Sequence, residues 1–253
     1  MKLYFNGCSH TVGICSDLHN IEQTYPYKLS KALNAEFNNS ALPRSSNDRI
    51  LRTTVEDIYS MDKLPDIAII QWSYYERFET PLISNDYQHH RNLWKSYRLR
   101  DQEWKQYNPT TQIKVEKTYN PIFYDFIDEN RLNAMNSFLT KVILLDNFLS
   151  AKSIKPIHVF FPGSRIKKDN QLINTLFNNC NNSNFLNNPL NGIENYLDDL
   201  KFSRSQDLHF LEDAHDQICD WLKDFILYNK PMQFKCRDDM DIDNIESLFI
   251  YSG

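Results

Sequence analysis

Apolar positions along this chain follow two periods that alternate. Residues 2–6, 67–70 and 157–161 are short, nearly continuous hydrophobic runs (Leu3-Tyr4-Phe5, Ile67-Ala68-Ile69-Ile70, Ile157-His158-Val159-Phe160-Phe161). Such runs predict strands covered on both faces, as in a parallel sheet. Between them the spacing turns helical. Residues 23–33 place Tyr25, Leu29 and Leu33 on one stripe. Residues 47–59 do the same with Ile50, Leu51, Val55 and Ile58, with Ser46 or Asn47 as the cap. Residues 130–150 form a long amphipathic pattern, and residues 212–227 form the last one, with Ile218, Trp221, Leu222 and Phe225 inward. Residues 36–39 predict a short second strand. Alternating strands and helices imply an α/β fold in three layers, a parallel sheet with helices on both faces and a flavodoxin-like order.

Two stretches interrupt this rhythm. Residues 80–125 are polar and aromatic (Tyr87, Trp94, Tyr97, Trp104, Tyr107, Tyr119), with too few aliphatic side chains for a core layer. They are expected to be an insertion, partly helical, folded as a lid over the carboxyl end of the sheet within a single domain of residues 1–253. Residues 170–195 are rich in asparagine and predict a long surface loop with turns. The end, Leu248-Phe249-Ile250-Tyr251, suits either an edge strand or a docking segment.

Composition narrows the function classes. The 253 residues and 41% hydrophobic content suffice for one large domain. A formal charge of −5 gives no overall basic footprint for nucleic acid. Five widely spaced cysteines, without a C-x-x-C pair, read as reduced thiols in a cytoplasmic protein. Neither a leader segment nor a membrane-spanning run is evident. His89-His90 lacks accompanying ligands at metal-binding spacing and reads as an exposed pair.

The chemistry lies at the two ends. The first strand runs into Asn6-Gly7-Cys8-Ser9-His10-Thr11. A strand that ends in a Gly-x-Ser turn presents a hydroxyl at the carboxyl edge of a sheet, where open α/β folds bind ligands. Near the other end, Asp207-Leu208-His209 precedes the last helix. A serine needs a base to remove its proton, a histidine titrates near neutrality, and an acid can hold the imidazole tautomer. Each residue alone also has a structural role open to it: Ser9 as a turn or helix cap, His209 as a loop residue, Asp207 as a cap. His215, inside the last helical pattern, reads as structural.

These blocks resemble the SGNH or GDSL hydrolases, including tailed-phage members that begin Asn-Gly-Cys-Ser. Residues 5–11 are similar to the family's first block, with Cys8 where Asp is usual. Residues 39–47 (Asn39-Ser40-Ala41-Leu42-Pro43-Arg44-Ser45-Ser46-Asn47) look like the second, Ile70-Gln71-Trp72-Ser73 falls at the third, and residues 207–215 at the last. The resemblance implies an acyl-serine mechanism on small O-acyl esters, including acetylated carbohydrate, by hydrolysis or acyl transfer. Ser9 is then the nucleophile, His209 the base and Asp207 the orienting acid. The acid usually stands three residues before the histidine, where this chain has Gln206. No metal or organic cofactor is implied.

The resemblance also implies three oxyanion donors: the Ser9 backbone N–H, a second-block glycine N–H and a third-block asparagine. Here Arg44 holds the glycine position and Ser73 the asparagine position, so Asn47 or Gln71 is the expected source of an amide. Arg44 reads either as a solvated side chain or as a grip on a substrate carboxylate or phosphate. Trp72, Tyr74, Tyr75, Trp94 and Trp104 read either as a platform for sugar rings or as a satellite core. Glu76-Arg77-Phe78-Glu79 is expected to hold an internal ion pair at the entrance. Two further functions stay open: a binding module that has lost catalysis, and a phage nucleic-acid-associated protein using the aromatic and basic insertion.

Overall fold

A computed structural model describes residues 1–13, 20–75, 77–81, 94–98, 131–161, 182–187, 192–206 and 209–232. The apolar runs form strands β1 (Lys2–Asn6), β2 (Glu36–Asn39), β3 (Ile67–Trp72) and β6 (Lys155–Phe160). These four pair in the order β2-β1-β3-β6, and every pairing is parallel. That is the flavodoxin-like arrangement expected from the alternation. A separate antiparallel pair joins β4 (Arg77–Pro81) to β5 (Trp94–Arg98).

The helices are α1 (Ser9–Val12), α2 (Tyr25–Ala32), α3 (Asn47–Ser60), α4 (Arg131–Ala151), α5 (Ile193–Asp199) and α6 (Glu212–Tyr228). Ser46 caps α3, its hydroxyl accepting from the Arg49 N–H at 3.1 Å. Successive strand residues point to opposite faces, so each strand feeds two cores. Leu3, Phe5, Ile67, Ile69, Ile157 and Val159 pack with α2, α5 and α6. Tyr4, Ala68, Ile70, Trp72 and Phe160 pack with α3 and α4. Among the described residues, no helix is long and apolar enough to cross a membrane.

Within the asparagine-rich stretch only residues 182–187 and 192–195 are described, and residues 184–187 depart from the expected surface loop. Phe185 forms a parallel bridge with His158, and the Leu186 N–H bonds to the His158 carbonyl at 3.0 Å. The Asn187 amide then grips both backbone groups of Phe160, accepting from its N–H at 2.9 Å and donating to its carbonyl at 2.8 Å. A side-chain amide has the same donor and acceptor as a peptide group, so it extends the ladder where the backbone leaves it. Asn184, Phe185, Leu186 and Asn187 are all buried. Two hydrophobic residues within a polar run decided this local outcome.

Of the expected insertion, only residues 80–81 and 94–98 are described, and they are strand. Trp104, His89-His90, residues 245–251 and Asp207 lie outside the described residues.

Candidate active site

The site is built around the end of β1. Asn6 is fully buried, and its amide donates to Thr53 and Thr54 hydroxyls on α3, both at 2.9 Å. Its Oδ1 accepts from the Gly7 N–H at 2.8 Å. Gly7 is required sterically, since a Cβ there would stand 2.3 Å from Thr11 Oγ1 and 2.8 Å from Gln71 Oε1. Ser9 then opens α1. Gly13 closes that helix in the left-handed region (φ 71°) and returns its N–H to the Ser9 carbonyl at 2.8 Å. Ser9 is thus fixed at the carboxyl edge of the sheet, and it is 8% exposed.

The second block packs beside it. Asn39 donates to the Thr11 carbonyl at 3.3 Å, and the Leu42 N–H bonds to the Gly7 carbonyl at 3.3 Å. Arg44 adopts φ 64°, the region that favours glycine, and is exposed. An L-residue there costs about 1–2 kcal/mol. The following Ser45 is buried.

The last block arrives from a turn before α6. The Ser205 N–H donates to the His209 carbonyl at 2.8 Å, and the His209 N–H returns to Ser205 Oγ at 3.2 Å. Arg204 and Phe210 pair across this turn. His209 thereby comes to lie against His10, the residue after Ser9, with ring centroids 5.1 Å apart. His10 is itself stacked on Phe161 at 3.7 Å. Burial first, then the charges of His209, Arg77, His215 and Arg204, hold the His10 ring well below the usual histidine range. His10 is therefore a neutral spacer between the serine turn and His209. Among the described residues, the Ser9 hydroxyl and the His209 ring are not hydrogen-bonded to each other. Such bonds are often long before substrate arrives. His215 is buried in α6, as its position suggests, and its Nδ1 accepts from the Tyr25 N–H at 3.3 Å.

Three expected site residues play other roles. Gln71 is fully buried: its Oε1 accepts from the Cys8 N–H and Thr11 hydroxyl, and its Nε2 donates to the Trp72 carbonyl. Asn47 is also buried, and it holds the loop after β3. Its Oδ1 accepts from the Ser73 N–H at 2.8 Å, and its amide donates to the Ser73 and Tyr74 carbonyls. Both amides are committed to backbone or buried side chains, which corrects the expectation that either one serves an oxyanion. Trp72 is no platform. It is fully buried, and its indole N–H donates to His158 Nδ1 at 3.1 Å. Tyr74 donates to Glu194 at 2.9 Å, and Tyr75 packs on the α3–α4 core.

Ser73 is at the site, but with an unexpected companion. Its Oγ accepts from Arg77 Nη1 at 2.9 Å, and the same nitrogen donates to the Ser45 carbonyl at 3.3 Å. Arg77 therefore ties the second block to the third. The sequence offered only a weak sign of this, an arginine a few positions beyond β3. Its expected acidic neighbours, Glu76 and the Glu79 side chain, lie outside the described residues.

Residues 15–173 match a protein family described as a family of unknown function (DUF6071). The chain belongs to this family. The DUF6071 match begins after Ser9 and ends before His209, so both candidate residues stand outside it. No curated protein matches the chain significantly. Among solved structures, the chain is similar to esterase EstA from Pseudoalteromonas sp., with a TM-score of 0.50 and 10% identity over 89% of this chain and 96% of that one. It is equally similar to a member of the lipolytic protein G-D-S-L family from Veillonella parvula DSM 2008, with a TM-score of 0.50 and 8% identity over 90% and 98%. The fold of this DUF6071 chain is that of the SGNH/GDSL hydrolases.

Proposed function

We propose that this chain is a serine esterase or acyltransferase acting on small O-acyl esters. The observation that carries this reading is the convergence of the chain's two ends, with His209 against the ring of His10 beside Ser9. In the proposed reaction the Ser9 hydroxyl attacks the ester carbonyl while His209 takes its proton. Backbone N–H groups at Ser9 and Arg44 stabilise the oxyanion, with Ser73 beside them. His209 then gives the proton to the departing alcohol. Water or a second alcohol attacks the acyl-serine, which decides between hydrolysis and transfer. Asp207 is assigned to orient His209. Acetylated carbohydrate is the substrate class that the sequence resemblance suggests.

One observation favours a second reading, a binding module without catalysis: Ser9 is only 8% exposed. Labelling with a fluorophosphonate separates the two. An esterase is modified at Ser9, and Ser9→Ala abolishes the adduct. A wild-type protein that folds yet takes up no label at Ser9 would eliminate the enzyme.

A further inference from the structure

We propose that Gln71 is a positioning residue for Ser9: its buried amide anchors the serine turn to β3 and so aims the Ser9 hydroxyl and N–H at the ester. The proposal rests on the esterase reading for the reaction it serves. Gln71 lies at the carboxyl end of β3 and is fully buried, so it acts through Ser9 and not on substrate. Its Oε1 accepts from the Cys8 N–H at 3.1 Å and from the Thr11 hydroxyl at 2.9 Å, one on each side of Ser9. The Cys8 thiol stands 3.3 Å from the same oxygen. An amide oxygen has two lone pairs, which the N–H and the hydroxyl fill, and a thiol is a weak donor that adds little. At its other end, Gln71 Nε2 donates to the Trp72 carbonyl at 2.6 Å. An N–H can only donate and a carbonyl can only accept, so these partners allow the amide one orientation. Thr11 spends its single hydroxyl proton on Gln71, so the buried Tyr25 hydroxyl donates to Thr11 at 2.8 Å and braces the anchor from α2.

The turn takes its direction from this remote amide. Cys8 stands at the cap of α1 and makes no side-chain bond to that helix, where a serine or aspartate would hold the turn locally. Gln71, 63 residues on, holds it instead by the Cys8 N–H. The Cys8 carbonyl is pinned as well, accepting from the Thr11 and Val12 N–H groups at 3.0 and 3.1 Å. The Cys8–Ser9 peptide is trans and planar, so the Ser9 N–H points opposite to that carbonyl. Fixing Cys8 at both its N–H and its carbonyl therefore sets the direction of the Ser9 N–H and the Cα from which the hydroxyl projects. The contact leaves little slack: a Cβ on Gly7 would lie 2.8 Å from Gln71 Oε1 and 2.3 Å from Thr11 Oγ1. A displacement of about 1 Å in a reacting group costs roughly 100-fold in rate, so an anchor that touches no substrate still governs turnover.

The test measures hydrolysis of 4-nitrophenyl acetate, with kcat referred to the Ser9 that a fluorophosphonate titrates, so that unfolded chains do not count. Gln71→Met keeps the length of the side chain and loses its hydrogen bonds. Its kcat should fall about 100-fold while KM stays within about twofold. Gln71→Glu supplies a readout that a merely structural role would not move. Protonated, its carboxyl accepts from Cys8 and Thr11 and donates to the Trp72 carbonyl, as the amide does. Ionised, it sets a negative oxygen against that carbonyl and the turn shifts. The ratio of its kcat to that of the wild type should therefore fall about tenfold as pH rises from about 5.5 to 9, the range in which a buried glutamate ionises. A ratio that stays flat with pH overturns the proposal, as does a folded Gln71→Met with wild-type kcat or a loss confined to KM. Should Gln71→Met fail to fold, the pH dependence of the Gln71→Glu ratio decides alone. A wild type that folds and takes up no label at Ser9 fails the esterase reading and this proposal with it, whereas a labelled wild type with unaltered Gln71 variants fails the proposal alone.

Discussion

Two histidines in this molecule invite the same interpretation and occupy opposite environments. His158, on β6, is fully buried in a continuous chain of hydrogen bonds. Trp72 donates to its Nδ1, its Nε2 reaches Asp146 at 3.1 Å, and Asn184 donates to the same carboxylate oxygen at 2.8 Å. The Trp72 bond fixes Nδ1 as the acceptor, so Nε2 carries the proton toward Asp146. Burial works to raise the Asp146 carboxyl, but the bonds from His158 and Asn184 hold it below the usual range. His209 lies on a turn at the carboxyl edge of the sheet, against His10. Among the described residues, the one His–Asp couple is thus sealed in the core. A histidine held by a carboxylate is a structural device unless a reactive group and a path for substrate accompany it. Location at the sheet's carboxyl edge, beside Ser9, is what distinguishes His209.

The largest test of this contrast is kinetic. His209→Ala should slow fluorophosphonate labelling of Ser9 by about 10³–10⁴-fold, because the serine loses its base. Asp146→Ala should leave the labelling rate close to wild type. An equal loss in both variants would dissolve the distinction.

The second test is thermodynamic. Asp146→Ala strands the His158 and Asn184 protons in the core and should cost about 4 kcal/mol in urea unfolding. His209→Ala, at a half-buried turn position, should cost less.

The third concerns pH. Burial first, then the Lys28 charge, pushes His215 down to about 4, against the partial opposition of Asp216 and Glu212. The unfolded chain takes up that proton near the ordinary value of 6.5, while the folded chain resists it. The stabilisation is therefore complete above pH 6.5 and is lost as pH falls toward 4, by up to about 3 kcal/mol. His10 adds a slope of the same sign. Urea midpoints measured across this window should drop on acidification. His215→Gln, which keeps an acceptor for the Tyr25 N–H, should flatten the drop.

The smallest effect is a control on both regions. Arg52 and Glu56 pair at 3.3 Å on the exposed side of α3. Glu56→Gln should change stability by no more than about 0.5 kcal/mol and leave Ser9 labelling untouched.

The layered fold was legible because it follows from local periodicity. Continuous apolar runs can only be buried on both faces, and the helical stripes between them supply the cover. Ser46 as a cap and the glycine-like backbone of Arg44 are local events too, set within a few residues, whereas Gly7 is required by Gln71 from a remote strand as well as by nearby Thr11. The fates of Asn47, Gln71 and Trp72 were not legible. Each is a polar or aromatic side chain that chemistry permits in a pocket, yet each is satisfied by a partner from another block. Phe185 and Leu186 likewise look like loop residues until the edge of β6 offers them a ladder to extend.

By itself, then, the sequence determined the order of layers and put a hydroxyl at the end of the first strand, because short-range sterics and hydrophobic spacing act along the chain. Only the tertiary structure decided which polar groups are consumed by internal hydrogen bonds. It carried His209 to His10, set Arg77 across Ser45 and Ser73, and sealed the His158–Asp146 couple in the core. Those outcomes depend on partners remote in sequence, since a buried polar group takes whichever complementary atom the packed chain brings within hydrogen-bonding distance.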